Sequence, residues 1–211
     1  MGDALRCAEG AGGTPRACAR GDGAHRSDES PRHAVARRAL LASPLLMAAA
    51  PAQTAFDFTL DALEGGPLRL AEFRGRALMV VNTASFCGYT PQYAALQRLH
   101  DRFEARGFAV IGVPSNDFNQ ESGDNRAIRQ FCDTMYGITF PMAALTRVRG
   151  QGAHPLFAWL AQAGGPPRWN FHKYLIGRDG RAVRPFLTST EPEAPVLVRA
   201  VEAALEGRAL V

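Results

Sequence analysis

From residue 56 onward, the spacing of apolar side chains divides the chain into short strands and amphipathic helices. Residues 56–60 alternate between apolar and polar side chains, and residues 68–73 follow a Gly-Gly-Pro turn, so two short strands are expected there. Residues 77–82 and 108–114 are almost continuously apolar, which is typical of strands buried on both faces of a parallel sheet.

The segment between these two apolar runs predicts a helix. Thr90 is suited to cap its start, and Pro91 is suited to its first turn. The spacing of Leu96, Leu99 and Phe103 gives the helix one apolar face. A strand, a helix and a second strand at this spacing form a right-handed βαβ unit of a parallel sheet.

Downstream of the βαβ unit, the pattern predicts helices and a β-hairpin around the turn Asp179-Gly180. A parallel βαβ half followed by a hairpin and a closing helix is thioredoxin-like topology. We therefore expect an α/β, thioredoxin-like fold with a central mixed sheet flanked by helices. The expected elements are a helix near 125–135, a strand entry at 140–141, a helix at 154–163, hairpin strands at 170–176 and 182–186, and an amphipathic helix at 193–205.

Composition fits a folded protein and gives no sign of nucleic-acid binding. Apolar residues make up 46% of the chain, the formal charge is only +4, and no basic stripe stands out. We interpret the single lysine, Lys173, as a codon-composition bias toward arginine. Neither a metal nor a cofactor is expected, because no His or Cys lies at ligand spacing with Cys87, and His100, His154 and His172 are expected at the surface.

The first 52 residues differ in character from the rest and form a predicted leader, whereas residues 53–211 form one predicted domain. Arg37 and Arg38 precede an apolar stretch at 39–50, and Ala50-Pro51-Ala52 is a small-x-small cleavage pattern. This order is typical of an export signal. The apolar stretch is too short for stable membrane insertion. We therefore expect a periplasmic or otherwise exported protein; the alternative is a cytoplasmic protein with a disordered tail.

Residues 1–34 are rich in Gly, Ser, Arg and Asp and show no hydrophobic periodicity, so no packed structure is expected there. A signal peptide should begin near its arginines. Our hypothesis is that translation starts near Val35 and that residues 1–34 are a mis-called extension.

Two of the four cysteines, Cys7 and Cys18, lie in the leader, which leaves Cys87 and Cys132 in the domain. In an oxidising compartment these two could simply form a structural disulfide. Cys87, however, lies between the end of a central strand and the start of a helix, where backbone N–H groups and the helix dipole favour a thiolate.

A thioredoxin-type redox site would carry a second cysteine at Thr90, and this chain does not. A lone thiolate is less suited to dithiol exchange than to attack on a peroxide oxygen. Such an attack gives a sulfenic acid, which another thiol must then reduce.

Several motifs, of which the first surrounds Cys87, occur along the chain in the order typical of one family. They are NTASFCGYT at 82–90, GVPSNDF at 112–118, Gln120-Glu121, Phe131-Cys132, YGITFP at 136–141 and WNFHK at 169–173. Together they closely resemble the glutathione peroxidase family over residues of about 55 to 206, nearly the whole domain.

The resemblance implies a thiol peroxidase with a catalytic tetrad of Cys87, Gln120, Trp169 and Asn170, in which the amide and indole groups stabilise the developing oxyanion. It also implies that Cys132 is the resolving cysteine, that a hydroperoxide is the substrate, and that thioredoxin or glutathione is the reductant. Cys132 favours thioredoxin. A disulfide requires Cα atoms within about 7 Å, so a larger separation would require the helix around Cys132 to unwind.

The chain departs from the family pattern at three places. Ser115 and Asp117 replace a cysteine and a glutamine of the second motif, and Asp117 could alter the field near Gln120. The segment between Pro141 and Trp169 is short, as in monomeric members, so a monomer is expected. An alternative function for Cys87 and its partner cysteine is a peroxide-responsive redox sensor that passes a disulfide to another protein.

Overall fold

The structure is a computed structural model that describes residues 54–210. The predicted leader, its export signal and the boundary at residue 52 lie outside these residues. Within them, no helix has the length and apolar character needed to cross a membrane.

A four-stranded mixed sheet forms the centre of the domain, in the strand order β4-β3-β5-β6. Strand β3 (Ala77–Thr83) pairs in parallel with β4 (Phe108–Pro114) and antiparallel with β5 (Lys173–Ile176), and β5 pairs antiparallel with β6 (Val183–Phe186). Every residue of β3 and β4 is buried, as the apolar runs predicted. The α/β class with a central mixed sheet is thereby confirmed.

Four helices cover the two faces of this sheet: α1 (Gln92–Phe103), α2 (Asn125–Tyr136), α3 (Pro155–Gly164) and α4 (Pro195–Leu205). Buried side chains of α1, α2 and α4 share one apolar core, and those of α3 share a second core with the N-terminal segment. Helix α1 continues as a 3-10 turn and ends at Gly107, whose φ of 88° lies in the left-handed region.

The N-terminal segment is less regular than the pattern predicted. Ala55–Asp57 is a 3-10 turn, because Asp57 accepts a hydrogen bond from the backbone N–H of Thr54. The two strands are only three residues long, β1 at Thr59–Asp61 and β2 at Pro67–Arg69. The rest of the predicted second strand is a 3-10 turn, Leu70–Phe73.

The strand expected to begin at 140–141 is reduced to isolated bridges at Met142 and Ala143. Gly112 of the edge strand β4 makes only an isolated parallel bridge with Met142, and Pro141 lacks an N–H with which to extend a ladder. A side chain at position 112 would collide with the Met142 sulfur and the Phe140 ring, so glycine permits this close approach.

Two of the three histidines expected at the surface are buried. His100 is 4% exposed, and its Nδ1 accepts the N–H of Val110, an edge-strand group that no further strand pairs. His172 is 2% exposed and packs against Tyr174. His154 is partly buried, and its Nδ1 accepts the N–H of Leu156 at the start of α3. These side chains satisfy backbone groups or fill the core, roles that spacing alone does not reveal.

Candidate active site

Cys87 lies in a tight turn between β3 and α1, and its thiol is free and only 7% exposed. The N–H of Tyr89 points at its Sγ at 3.4 Å. An N–H directed at the sulfur stabilises negative charge there. The turn thus places one N–H donor within reach of the sulfur.

Thr90 has a different role from the predicted one. The helix begins at Gln92 with Pro91 as its N-cap, and no side chain caps it. The Thr90 hydroxyl instead accepts the N–H of Cys87 at 3.0 Å and donates to the carbonyl of Ala84 at 2.9 Å. The residue at the position of a second cysteine therefore braces the turn that holds the first.

Gln120 and Asn170 are brought together by loops that follow β4 and precede β5. Asn170 Nδ2 donates to Gln120 Oε1 at 2.8 Å, which leaves the Gln120 amide N–H₂ to donate elsewhere. The N–H of Phe86 donates to the carbonyl of Gln120 at 3.0 Å, so the Gln120 loop runs beside the Cys87 turn. Asn170 is fully buried, and its Oδ1 has no partner among the described residues.

Trp169 lies beside this amide pair with its ring packed on Phe118, at 5.2 Å between centroids, and 41% exposed. Its position depends on Asn82, a buried residue of β3. Asn82 donates to the Trp169 carbonyl at 3.1 Å and accepts the N–H of His172 at 3.1 Å. Asn82 is a positioning residue that sequence reasoning missed, although a polar residue in an apolar strand was the available signal.

The predicted first hairpin strand begins three residues late because Phe171 has a φ of 61°, which no strand accommodates. The carbonyl of Phe171 accepts from Lys173 Nζ at 2.8 Å. Thr188 donates its hydroxyl to the carbonyl of Asn170 at 2.8 Å. Two further groups lie at the site: Thr188, which the sequence did not single out, and Lys173, which it marked only as the single lysine and the end of the WNFHK motif.

Cys132 lies in α2, fully buried and with a free thiol, so no disulfide links it to Cys87. Both sulfurs belong to the same apolar core. Burial raises the pKa of the Cys132 thiol to about 11, a rise opposed by the nearby Tyr93 hydroxyl. In this form Cys132 is a protonated and unreactive thiol.

Glu121, directly after Gln120, is 6% exposed, and burial raises the pKa of its carboxyl. Its Oε1 accepts the N–H of Ser122 at 2.8 Å, and Ser85 of the Cys87 loop lies beside it. Its charge also opposes ionisation of Cys132 and Tyr93. Glu121 is thus a buried acid between the two cysteine-bearing segments.

The two departures in the second motif have structural roles. Asp117 Oδ2 accepts the N–H groups of Val148 at 2.7 Å and Arg149 at 3.0 Å, so its charge is engaged away from Gln120. Ser115 is fully buried, and its hydroxyl accepts the N–H of Asp117. Neither contributes a group to the Cys87 turn.

The described residues hold no group of three or more His, Cys, Asp or Glu that could bind a metal. Fold and site together define a thioredoxin-fold thiol oxidoreductase with one cysteine at the strand-to-helix turn and an amide pair beside it.

Comparisons with known proteins specify the family. Residues 55–161 match the glutathione peroxidase family model. The hydroperoxy fatty acid reductase gpx1 of Synechocystis sp. is 43% identical over 70% of this chain and 94% of its own length. The thioredoxin/glutathione peroxidase BtuE of Escherichia coli is 36% identical over 68% of this chain and 92% of its own. Among solved structures, apo Trgpx has a TM-score of 0.60 at 30% identity, covering 75% of this chain and 99% of that one.

The chain belongs to the glutathione peroxidase family. Its enzyme class, a peroxidase acting through a thiol, and its thioredoxin-like fold are those that the motifs implied.

Proposed function

We propose that the protein reduces hydrogen peroxide or organic hydroperoxides through Cys87, with Gln120, Trp169 and Asn170 as the other members of its catalytic tetrad. The observation that carries this proposal is the Asn170–Gln120 hydrogen bond of 2.8 Å beside the Cys87 turn. It orients the Gln120 N–H₂ as a donor for the charge that develops on a peroxide oxygen.

In the first step, the Cys87 thiolate attacks one peroxide oxygen and the O–O bond breaks. The sulfur is oxidised to a sulfenic acid, and the leaving oxygen takes a proton to become water or an alcohol. The Gln120 amide and the Trp169 indole are the donors available to the leaving oxygen. Asn170 Oδ1, buried and without a partner, is an acceptor that can orient the protonated peroxide oxygen.

In the second step, the Cys132 sulfur attacks the Cys87 sulfenic acid. An S–S bond forms, the S–O bond breaks, and the hydroxide leaves as water with the proton of Cys132. A thiol so buried and so weakly acidic cannot attack from its present position. Helix α2 therefore opens first. It has two fully buried residues, Ile128 and Cys132, against eight in α1, which supports this step, although Phe131 and Tyr136 also pack on the core in part.

The surroundings of Cys87 favour organic hydroperoxides with apolar tails in addition to hydrogen peroxide. Phe86 is 68% exposed and Trp169 is 41% exposed, so two aromatic side chains flank the approach to the site. Aromatic surfaces bind apolar chains by burying area from water. The fatty-acid hydroperoxide named for the Synechocystis relative is consistent with this choice.

Thioredoxin is the proposed reductant, because it reduces a Cys87–Cys132 disulfide by dithiol exchange. NADPH-coupled turnover measured side by side with thioredoxin and with glutathione tests this choice, and thioredoxin should give the faster rate. Faster turnover with glutathione would overturn the choice of reductant. A persistent mixed disulfide with one partner protein and no turnover would favour the sensor function instead.

Intact-mass analysis tests the two-cysteine cycle directly. One equivalent of peroxide should remove two hydrogens from the reduced protein, because the disulfide forms at the cost of both thiols. The Cys132→Ser variant should instead retain one added oxygen as a sulfenic acid. A disulfide that forms without peroxide, together with no activity, would contradict the cycle.

We further propose that the protein is an exported monomer that protects against oxidative stress. Arg37, Arg38 and the apolar stretch at 39–50 support export, and the short segment between Pro141 and Trp169 supports a monomer. An exported enzyme needs a thiol supply outside the cytoplasm. Mass spectrometry of the native N-terminus tests the leader: a start after residue 52 would support export, and a peptide from residues 1–34 would contradict a translation start near Val35. Size-exclusion chromatography tests the monomer, which a dimer would contradict.

A further inference from the structure

Lys173 is the only lysine in a chain whose other basic residues are all arginine, and its side chain is fully buried. It is the first residue of β5, opposite Val81 of β3 in the centre of the sheet. A buried ammonium destabilises a fold unless acceptors bind its hydrogens. The acceptors of the Lys173 hydrogen bonds therefore identify the segments that its side chain holds together.

The Lys173 ammonium binds two backbone carbonyls. Its Nζ lies 2.8 Å from the Phe171 oxygen and 3.4 Å from the Thr188 oxygen. Gln92 Nε2 donates to the same Thr188 oxygen at 2.9 Å and to Glu191 at 3.2 Å. Lys173 thus joins the segment before β5 to the loop after β6, at the start of α1.

Both carbonyls belong to residues that adjoin Asn170, because Phe171 follows it in the chain and Thr188 is hydrogen-bonded to it. Phe171 has a φ of 61°, and a residue other than glycine in this region is strained by about 1–2 kcal/mol. Hydrogen bonds on both sides of Phe171 hold it there, from its N–H to Asn82 at 2.6 Å and from Lys173 to its carbonyl. Thr188 in turn donates its hydroxyl to the Asn170 carbonyl at 2.8 Å.

We propose that Lys173 is a positioning residue of the active site, whose ammonium form holds Trp169 and Asn170 in place through the carbonyls of Phe171 and Thr188. The inference rests on the proposed function, in which Trp169 and Asn170 act on the peroxide. Loss of the proton removes the charge that strengthens both hydrogen bonds and leaves the neutral amine with two weaker N–H donors. The segment then relaxes from its strained conformation, and the amide pair loses its orientation.

The surroundings of Lys173 make this change of charge accessible near neutral pH. Burial lowers the pKa of Lys173 to about 7, while Glu191 favours its charged form. His172 stays neutral because burial lowers its pKa to about 4, and Tyr93 stays neutral because burial raises its pKa well above the usual range. Among these neighbours, Lys173 is the group that changes charge near neutrality.

The same reasoning explains why this position is not an arginine. A guanidinium carries five donors in a wide planar fork and does not release its proton in proteins. Two carbonyls in a closed core need a compact cation instead. At position 173 the lysine is therefore a structural requirement and not a consequence of codon composition.

A single lysine permits a direct test on the unmodified sequence. Labelling with ¹³C-lysine gives one side-chain resonance, whose titration midpoint should lie near 7 and not near the ordinary 10.5. In a Trp159→Phe background, the indole N–H resonance of Trp169 should titrate with the same midpoint. An ordinary lysine midpoint, or an indole signal that does not follow the lysine, would overturn the proposal.

A second test uses Lys173→Met, which keeps the length of the side chain and removes the charge. The rate of Cys87 oxidation by peroxide should be about tenfold lower than in the wild type at roughly pH 6, where positioning is lost only in the variant. The two rates should converge about two pH units above neutrality, because the wild-type amine is then also neutral. The exposed Arg199→Met is the matched control and should follow the wild type throughout.

A constant ratio of the two rates across pH would assign Lys173 a merely structural role and overturn the proposal. Should Lys173→Met fail to fold, Lys173→Gln replaces it, and the lysine titration still decides. If the wild type consumes no peroxide at all, the proposed function fails. The common titration of Lys173 and Trp169 then tests the positioning separately from activity.

Discussion

Helices α1 and α2 each contain twelve residues and each is associated with one cysteine, yet α1 buries eight of its residues and α2 buries two. The Cys87 turn at the start of α1 is braced by Thr90 and by an N–H directed at the sulfur. Cys132, in the middle of α2, has the Tyr93 hydroxyl nearby, but burial is the larger influence and raises its pKa to about 11.

The difference corresponds to the two steps of the proposed cycle. Attack on peroxide requires groups held in place before the substrate arrives, and rigid packing provides this. Resolution requires Cys132 to reach Cys87, and an element with little buried surface can move at low cost. Burial of Ile128 contributes about 1.5–3 kcal/mol to the closed form of α2, and the partly buried Phe131 and Tyr136 add to it. The proposed cycle thus requires a Cys87 that is held in place and a Cys132 that moves.

Replacement of Cys87 should have the largest effect. Cys87→Ser should lower peroxide turnover by about 10⁴-fold or more, because a hydroxyl is a far weaker nucleophile than a thiolate. Coupled turnover assays measure this, with Cys132→Ser as the control that still undergoes one oxidation. Activity retained in Cys87→Ser would show that Cys87 does not react with peroxide, and the comparison between the two cysteine-bearing helices would lose its functional meaning.

The second largest effect should be the difference between the alkylation rates of Cys87 and Cys132 in the reduced protein. With a pKa of about 11 for Cys132, its thiolate fraction at roughly pH 8 is about one in a thousand, and its burial slows alkylation further. Iodoacetamide labelling followed by peptide mass spectrometry should therefore find Cys87 modified well before Cys132. Equal labelling rates would mean that α2 is already open in the reduced protein.

Removal of the Asn170 amide, which donates to Gln120, should have the third largest effect, on the rate of Cys87 oxidation. Asn170→Ala should slow the oxidation of Cys87 by about 100-fold, because Gln120 loses the bond that orients it. Asn170→Asp is the matched variant, since it keeps the size but lacks the donor. Single-turnover kinetics should show both variants impaired, and wild-type rates in Asn170→Asp would rule out the orienting bond.

A small loss of packing at Ile128, which helps to hold α2 closed, should increase a rate, whereas the preceding substitutions decrease one. Ile128→Val should cost about 1 kcal/mol and allow α2 to open about fivefold more often. The conversion of sulfenic acid to disulfide should accelerate by up to that factor. Ile111→Val in β4 removes the same methylene from a buried site on the other face and should leave this rate unchanged. Equal effects of the two changes would indicate general destabilisation and not the opening of α2.

The sequence predicted the sheet, the four helices and the turn that holds Cys87, because continuous apolar strands and one-faced helices leave a direct periodic signal. It did not predict the αL conformation of Phe171, which delays β5, or the hydroxyl of Thr90 turned toward the Cys87 N–H instead of the helix. Hydrogen bonds to Asn82, distant in sequence, and to Lys173 hold the Phe171 conformation. Competition between acceptors and donors within the turn sets the Thr90 hydroxyl. No local pattern of apolar and polar residues encodes either feature.

At the site, the motifs predicted which residues matter but not how they are supported. Gln120 and Asn170 were predicted together, and the structure adds the bond between their amides. Asn82 and Lys173 lie within the quoted motifs, but their contacts were missed because the sequence does not reveal which backbone groups a buried polar side chain binds. The burial of His100 and His172 was missed for a similar reason.

The contact between Phe86 and Phe131, at 6.5 Å between ring centroids, has a consequence beyond the chemistry of the sulfurs. Each ring immediately precedes one of the two cysteines, so any movement of α2 that brings Cys132 toward Cys87 changes how the rings meet. In the proposed cycle, the oxidised protein therefore has a different aromatic surface from the reduced one. A reducing partner that contacts these rings would therefore bind the oxidised and the reduced protein differently, before any electrons are exchanged.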